Sequence, residues 1–407
     1  MNLALARFQD IRPAVAFSCT GAQQVAEAIA HARAERLPLT VRSGGHCFAG
    51  RSSTAGVLID VSPMSAVVVA DGRATIGAGA LLGDVYDALD AHGVTIPAGC
   101  GPTVGISGLT LGGGLGILGR LHGLTADALV AAEVVLADGR AVRCDEHEEG
   151  DLFWALRGAG GARVGVVTSL EYATVPAPEM TAFETFWDDP APVIAAWQEW
   201  APDAPDALAA SLLITTTPSQ VKVFGAFAGP EEELRGLLDA LGEPASAAIE
   251  QGSARAAKRF LAGLGGAGED DEGHAFLRSE YVADRLSPEA IAALVDNLEG
   301  GDFARELDFS PWGGAYSRTP VEATAFAHRN ARFLLKHAAV LDPGAPTAAA
   351  REWLDRSWAI THPFGTGGVY PNFPEDGLDP WGPEYLGPNR ERLLSVKRRY
   401  DPDRAFG

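Results

Sequence analysis

The sequence predicts an α+β protein in two parts: an N-terminal unit of interleaved strands and helices, and a second unit in which helices cover an antiparallel sheet. Three observations predict it. The chain has 407 residues, more than a single hydrophobic core usually serves. Short strand and helix patterns alternate as far as the punctuating Pro176 and Pro178. Beyond them the strand candidates lengthen, two of them meet as a hairpin at Pro218-Ser219, and helical periods follow without internal repeat.

In the first unit, Gly21 to Glu35 reads as a helix, with Val25, Ile29 and Ala32 recurring at helical spacing. Pro38 to Arg42 is a strand that runs into Ser43-Gly44-Gly45-His46. Strands follow at Val57 to Val61, Ala66 to Ala70 and Ala74 to Gly77, then a helix at Leu81 to His92. Leu129 to Leu136 and Arg140 to Cys144 are strands joined by a turn at Ala137-Asp138-Gly139. Leu152 to Arg157 is a short helix and Val164 to Ala173 a strand. In the second unit the strands are Thr181 to Trp187, Ala209 to Thr217, Gln220 to Ala228 and Arg305 to Ser310. The helices are Pro192 to Trp200, Glu231 to Leu241, Pro288 to Leu298, Val321 to His337 and Thr347 to Trp358. Gly263 to Gly273, rich in Gly and acids, is predicted to be a loop.

Composition excludes several functions. The formal charge of −21 repels nucleic-acid phosphates and anionic membranes. No apolar run approaches membrane-spanning length, and Met1 to Ala16 lacks the layout of a secretory signal, so a cytoplasmic location is the default expectation. Cys19, Cys47, Cys100 and Cys144 are scattered without CxxC pairs, which indicates neither a metal site nor a disulfide scaffold.

Two motifs carry chemistry. Arg42-Ser43-Gly44-Gly45-His46 stands at a strand end, where successive backbone N–H groups of a Gly-rich loop can cradle phosphate. From Gly99 to Gly116 glycines interleave with Val104, Ile106, Leu109, Leu111 and Leu115, a pattern suited to ordered backbone wrapped around a flat ligand. Gly77-Ala78-Gly79 with Gly83 imitates a dinucleotide fingerprint. Its GxGxxxG spacing and the missing ribose-binding acid argue against a nicotinamide site.

The runs SGGH, GCGPTVGISGLTLGGGLGILGRLHGLTADAL, VVLADGRAV, DLFWALRGAGG and VGVVTSL occur in that order. With the tail TGGVYPNF and EYLGPNRERLLSVKRRYDPDRAF, they resemble the berberine-bridge-enzyme-like flavoproteins of the vanillyl-alcohol-oxidase and p-cresol-methylhydroxylase (PCMH) group. The match covers about Ala14 to Thr174 and resumes at about Gly367. The resemblance implies a two-lobed PCMH-type FAD-binding domain over residues 1–178, a substrate domain over 179–364, and a C-terminal segment, 365–407, that returns to the first. It implies FAD joined covalently to His46 through the flavin 8-methyl group, since a neutral imidazole is a good nucleophile. It implies that Arg42, Ser43, Gly44, Gly45, His46, Cys47, Val104, Gly105, Ser107, Gly108, Gly112, Gly116, Gly165, Val166 and Asn372 bind the cofactor.

Departures from the family pattern bear on mechanism. Members with a second flavin link have Cys three residues before the Val of PTVG; here Gly101 stands there and Cys100 one residue earlier. Side-chain direction reverses over one residue of extended backbone, so Cys100 is either a second link or a buried thiol. Tyrosines common in the family are Phe48, Leu115 and Phe373 here, and the family's Asn-Phe before GVVT is Arg163-Val164. Tyr370 remains as the candidate catalytic base, provided its pKa of about 10 is lowered locally. Tyr316, His328 and Arg329 are weaker candidates for that role: Ala327 to Asn330 lies on the helix predicted at Val321 to His337, so the three read as surface residues.

The implied activity is two-electron oxidation of a CH–OH, CH–NH or activated C–H group of a small molecule, with O2 as acceptor and hydrogen peroxide as product. In the family a small Val at position 104 accompanies open oxygen access. The missing phenols point to an apolar pocket and an aromatic or terpenoid-like substrate rather than an oligosaccharide. The alternatives are a flavin dehydrogenase with another acceptor and a flavin-binding protein without turnover. The sequence names neither the substrate nor the oligomeric state.

Overall fold

A computed structural model describes residues 4–161, 163–263 and 274–407. Strands Val15–Ser18, Val57–Asp60 and Leu39–Arg42 form a parallel sheet in that spatial order. The helix Ala22–Glu35 covers it because Val25, Ala28, Ile29 and Ala32 fall on one face and are buried. A left-handed Arg36, φ 54°, ends that helix by donating its N–H to Ala32 and Arg33. A five-stranded antiparallel sheet follows, ordered Val67–Ala70, Arg73–Gly77, Val166–Ala173, Leu129–Val135 and Ala141–Asp145. Its first hairpin turns at Asp71-Gly72, both at positive φ, the conformation that matches the strand twist. Val134, Phe153 and Trp154 of this part share one core with Val369, Tyr385, Leu393 and Val396, so the C-terminal residues pack back on the first part.

The rest of the chain builds a seven-stranded antiparallel sheet. Its order is Ser246–Ser253, Glu179–Trp187, Ser219–Phe227, Leu208–Thr216, Ala304–Pro311, Phe333–Val340 and Ala275–Val282. Helices Pro190–Trp200, Pro288–Asp296 and Ala348–Thr361 cover one face, where Phe183, Leu212, Val223, Leu307 and Phe309 pack with Ile194, Trp197, Leu294 and Trp353. Among the described residues no helix is long and apolar enough to cross a membrane.

One predicted element is corrected. Val321 to His337 is not a helix: Val321–Ala323 makes one 3-10 turn, and Phe333–Val340 is an inner strand. Its residues Phe333, Leu334, Leu335, Ala338 and Ala339 are buried on both faces, and such a run carries no periodicity to separate strand from helix. Strands Val15–Ser18, Ser246–Ser253 and Ala275–Val282 are additional to the sequence reading. Ser246–Ser253 is mostly exposed and weakly patterned, as suits an edge. The predicted loop Gly263 to Gly273 lies, apart from Gly263, outside the described residues.

His337 occupies the helix-covered side of the sheet, its Nδ1 2.8 Å from Ser357 Oγ and its Nε2 3.4 Å from Thr361 Oγ1. Burial, then the Arg278 charge, holds its pKa down at about 3. The unfolded histidine takes up a proton near pH 6.5. Between those values the unfolded chain binds more protons, so stability falls as pH falls, by about 1.4 kcal/mol per pH unit at most for this group. Urea unfolding of wild type and His337→Gln at pH 6 and pH 4.5 should show that slope reduced in the variant. Equal slopes in the two proteins would remove His337 from the account.

Candidate active site

The strand Leu39–Arg42 delivers the first motif into a seam with the second. A Cβ on Gly44 would stand 2.3 Å from the Gly105 nitrogen, and one on Gly105 2.4 Å from the Gly44 nitrogen. The two loops therefore meet backbone to backbone, which glycine alone permits. The hydroxyls of Ser43 and Ser107 both donate to the Ala78 carbonyl, at 2.8 and 2.7 Å, and tie the seam to one point. The imitation fingerprint is explained there: a Cβ on Gly77 or Gly79 would strike the Met64 or Val61 carbonyl, so both are packing glycines. Gly45 turns at φ 85°, and His46 Nε2 lies 3.0 Å from Thr103 Oγ1.

The other predicted residues divide by what they touch. Arg42 is buried and braces the loop after His46, donating to the Ser52 carbonyl and Ser53 Oγ. Cys47 Sγ accepts from the Arg51 N–H at 3.3 Å. Gly108 has open space where a Cβ would be, whereas Gly116 abuts Ala98 and Gly165 abuts Val134. Val166 belongs to the core, and Val104 packs at its edge. Cys100 packs against the cluster of Ile117, Met180 and Ala226. Burial pushes its thiol up to about 11, with Lys258 opposing. A thiol so protonated is a poor nucleophile.

The second motif contains the helix Ile106–Leu111 and then turns at Gly113 and Gly114, both at positive φ. Asn372 fills the space a side chain at Gly112 would need. Its Nδ2 donates to the Leu109 carbonyl at 2.8 Å and to the Tyr370 hydroxyl at 3.1 Å. The same hydroxyl accepts from the N–H groups of Gly114 and Leu115, both at 3.1 Å. These three donors favour the phenolate, but burial outweighs them and pushes Tyr370 up to about 12. The expected lowering is thereby corrected.

Tyr316 and Arg329 are buried and His328 is half-buried, because the short helix Ala315–Arg318 and the irregular chain around His328 and Arg329 pack between the sheet and the Gly-rich turns. Arg329 forms a two-pronged pair with Asp127 at 2.8 Å, the Tyr316 hydroxyl donates to the Gly116 carbonyl, and His328 stacks on Tyr281. They brace the turn from beneath.

The sheet's uncovered face lies over this floor: Tyr281 and Leu334 on it pack with Leu115, Tyr370 and Phe373. Cross-strand register sets Lys222, Leu213, Asp308, Lys336 and Ser279 in one row, with Glu306 opposite Thr215 in the next. Lys336 Nζ is 3.3 Å from Asp308 Oδ2 and 5.4 Å from the Phe373 ring centre. Asp308 Oδ1 and the Tyr281 hydroxyl are buried without a hydrogen-bond partner among the described residues. Burial lowers the pKa of Lys222 despite Glu184, Asp308 and Glu306 nearby. Sequence reasoning missed this row. Its signal was charge at alternate positions within apolar strands, as in Glu306 and Asp308 of ARELDFSP. The expected apolar pocket is corrected in part: Phe48, Leu115 and Phe373 make an apolar floor, and the roof is charged. A cavity of about 330 Å³ opens beside it, bounded by Phe48, Leu277, Pro374 and Arg7.

The residues fit FAD: a side-chain-free seam next to an imidazole, and orphaned polar atoms facing it across an apolar floor. The family described as FAD binding domain matches residues 13–145, and that described as berberine and berberine like matches residues 369–407. The whole chain is 35% identical to an uncharacterized FAD-linked oxidoreductase of Bacillus subtilis, covering 91% of it. BBE-like 1 of Physcomitrella patens superposes with a TM-score of 0.89 at 25% identity, over all of this chain and 92% of that one. Glucooligosaccharide oxidase from Acremonium strictum, with a 6-S-cysteinyl, 8α-N1-histidyl FAD, superposes with a TM-score of 0.86 at 26% identity, over 100% and 93% of the two chains.

Proposed function

Because the chain belongs to the berberine-bridge-enzyme-like FAD-linked oxidoreductases, we propose that it is an oxidase of a small aromatic substrate bearing a polar group, with FAD linked through His46 alone. The observation that supports this reading is that one Gly-rich segment meets the His46 loop at the Gly44–Gly105 seam and holds the Tyr370 hydroxyl at Gly114, with Lys336 of the charged row near Phe373. In this reading residues 1–178 with 365–407 hold the cofactor, and 179–364 form the substrate domain.

Bound FAD supplies the acceptor for two electrons, and O2 takes them on as hydrogen peroxide. The chain's own residues supply position and proton transfer. Phe48, Leu115 and Phe373 hold the flat part of the substrate and exclude water. Tyr370, through the small fraction present as phenolate because burial raises its pKa to about 12, takes the proton of the O–H or N–H beside the carbon that is oxidised, which eases departure of hydride from that carbon. A second reading gives that proton to Asp308. It is favoured by the unpaired Oδ1, with Lys336 positioning the carboxylate through Oδ2.

Two measurements test the oxidase reading. A panel of aromatic alcohols and amines should bleach the flavin anaerobically, and peroxide should then form mole for mole with substrate consumed. A protein whose flavin no substrate reduces would instead be a flavin carrier. Oxygen access is proposed to run past Val104, where one or two added methyl carbons would fill the gap in a tightly packed interior. Val104→Leu should slow re-oxidation in air by about tenfold or more, a barrier increase of about 1.4 kcal/mol, with anaerobic reduction unchanged. Unaltered oxygen kinetics in that variant would dismiss the gate.

A further inference from the structure

Arg163 is a buried cation left without a paired anion among the described residues. Its exposure is 7%, its Nε has no hydrogen-bond partner, and no carboxylate forms an ion pair with it among the described residues. The other buried arginines described all have acceptors. Arg42 donates to Ser52 and Ser53, Arg120 to the Pro202 and Ala204 carbonyls, Arg305 to the Leu298 carbonyl, and Arg329 to Asp127. Arg163 has the face of Trp381, 4.7 Å from its guanidinium carbon. A desolvated charge without a partner is costly, and a stable protein tolerates it where a ligand completes the pair.

Its surroundings add positive charge. Burial first, and repulsion from Arg51 second, hold the Arg163 pKa down at about 9, while Tyr385 and Asp379 oppose weakly. Arg51 follows the His46 loop, donating its N–H to Cys47 Sγ and lying over the Tyr385 ring. Lys397 donates to the Arg163 carbonyl but is already neutralised by Asp401 at 2.6 Å. On the other side, Gly160 donates its N–H to the Leu111 carbonyl at 2.7 Å and leaves room for the Arg163 guanidinium, which lies 3.2 Å from where a Cβ would be. The guanidinium is thus lodged between the end of the helix Ile106–Leu111 and the C-terminal segment, beside the His46 loop. In a chain of net charge −21 this is a local excess of cations.

We propose that Arg163, assisted by Arg51, seats the diphosphate of FAD and completes there the ion pair that the described residues leave open. The proposal rests on the flavoprotein reading above. A planar guanidinium can grip two phosphate oxygens at once, and a charge-assisted contact of this kind is worth about ten- to a hundredfold in affinity.

The test uses the His46→Ala holoprotein, from which FAD can dissociate, alone and with Arg163→Met or Arg163→Lys added. FAD release on dilution is followed by flavin fluorescence. The Met variant should bind FAD about ten- to a hundredfold more weakly and with a shallower salt dependence, and the Lys variant should fall between. Riboflavin, which has no phosphate, should bind all three alike. Inorganic diphosphate should displace FAD from the parent and lose that ability in the Met variant. An unchanged FAD affinity, or an equal loss for riboflavin, would make Arg163 a packing residue and overturn the proposal. So would diphosphate that binds tightly without displacing FAD, because the seat would then serve a free anion. If the Met variant does not fold, the Lys variant and diphosphate competition still decide. A wild-type protein purified without any flavin would instead bring down the flavoprotein reading itself.

Discussion

Wild-type protein is expected to keep its yellow colour in an acid-precipitated pellet, and His46→Ala to lose it and leave FAD reversibly bound. The effect should be all or none, because a covalent bond either forms or does not. In the proposed reading this residue alone carries the attachment. Gly44 and Gly105 bring the His46 loop against the Gly-rich segment, and Thr103 orients the imidazole through Nε2. Cys100 packs against an apolar cluster with its thiol pushed up to about 11, which argues against a second link there. Cys100→Ala should therefore leave the pellet colour unchanged. Colour persisting in the His46→Ala pellet would assign the link to another residue.

Tyr370→Phe is expected to slow anaerobic flavin reduction by substrate by about 10²- to 10⁴-fold, the range over which a positioned base contributes. The pH dependence has a definite sign. Burial keeps the phenol protonated up to about 12, so the active phenolate is scarce at neutral pH. Its fraction rises tenfold per pH unit below that value, and reduction by the wild type should accelerate as pH rises through the alkaline range. The substitution also strips the acceptor from the N–H groups of Gly114 and Leu115 and from Asn372 Nδ2. Each unpaired donor costs about 1–3 kcal/mol, so a lower melting temperature should accompany the kinetic loss. A lower melting temperature with less than a tenfold change in reduction would mark Tyr370 as a brace of the turn. A flat alkaline profile together with an inactive Asp308→Asn variant would pass the base role to Asp308.

The sequence by itself determined the parts of this protein whose physics is local. Helix Ala22–Glu35 follows from the spacing of Val25, Ile29 and Ala32, and the turns at Asp138-Gly139 and in the SGGH loop follow from glycine at positive φ. The two motifs were legible as a candidate cofactor cradle because their chemistry is written in consecutive residues, and both lie within the stretch that matches the FAD binding domain family. Their meeting was not legible: Gly44 and Gly105 touch across 60 residues of chain, and no local pattern encodes that distance. Only the tertiary structure decided the charged roof, since Lys222, Asp308 and Lys336 become one row through the register of three separate strands. It also decided the fate of Phe333–Val340, a doubly buried apolar run that is strand or helix according to which neighbours accept its hydrogen bonds. Burial did the same for titration. The phenol of Tyr370 and the guanidinium of Arg163 owe their shifted pKa values to desolvation by residues far away in sequence, a quantity that exists only once the chain has closed around them.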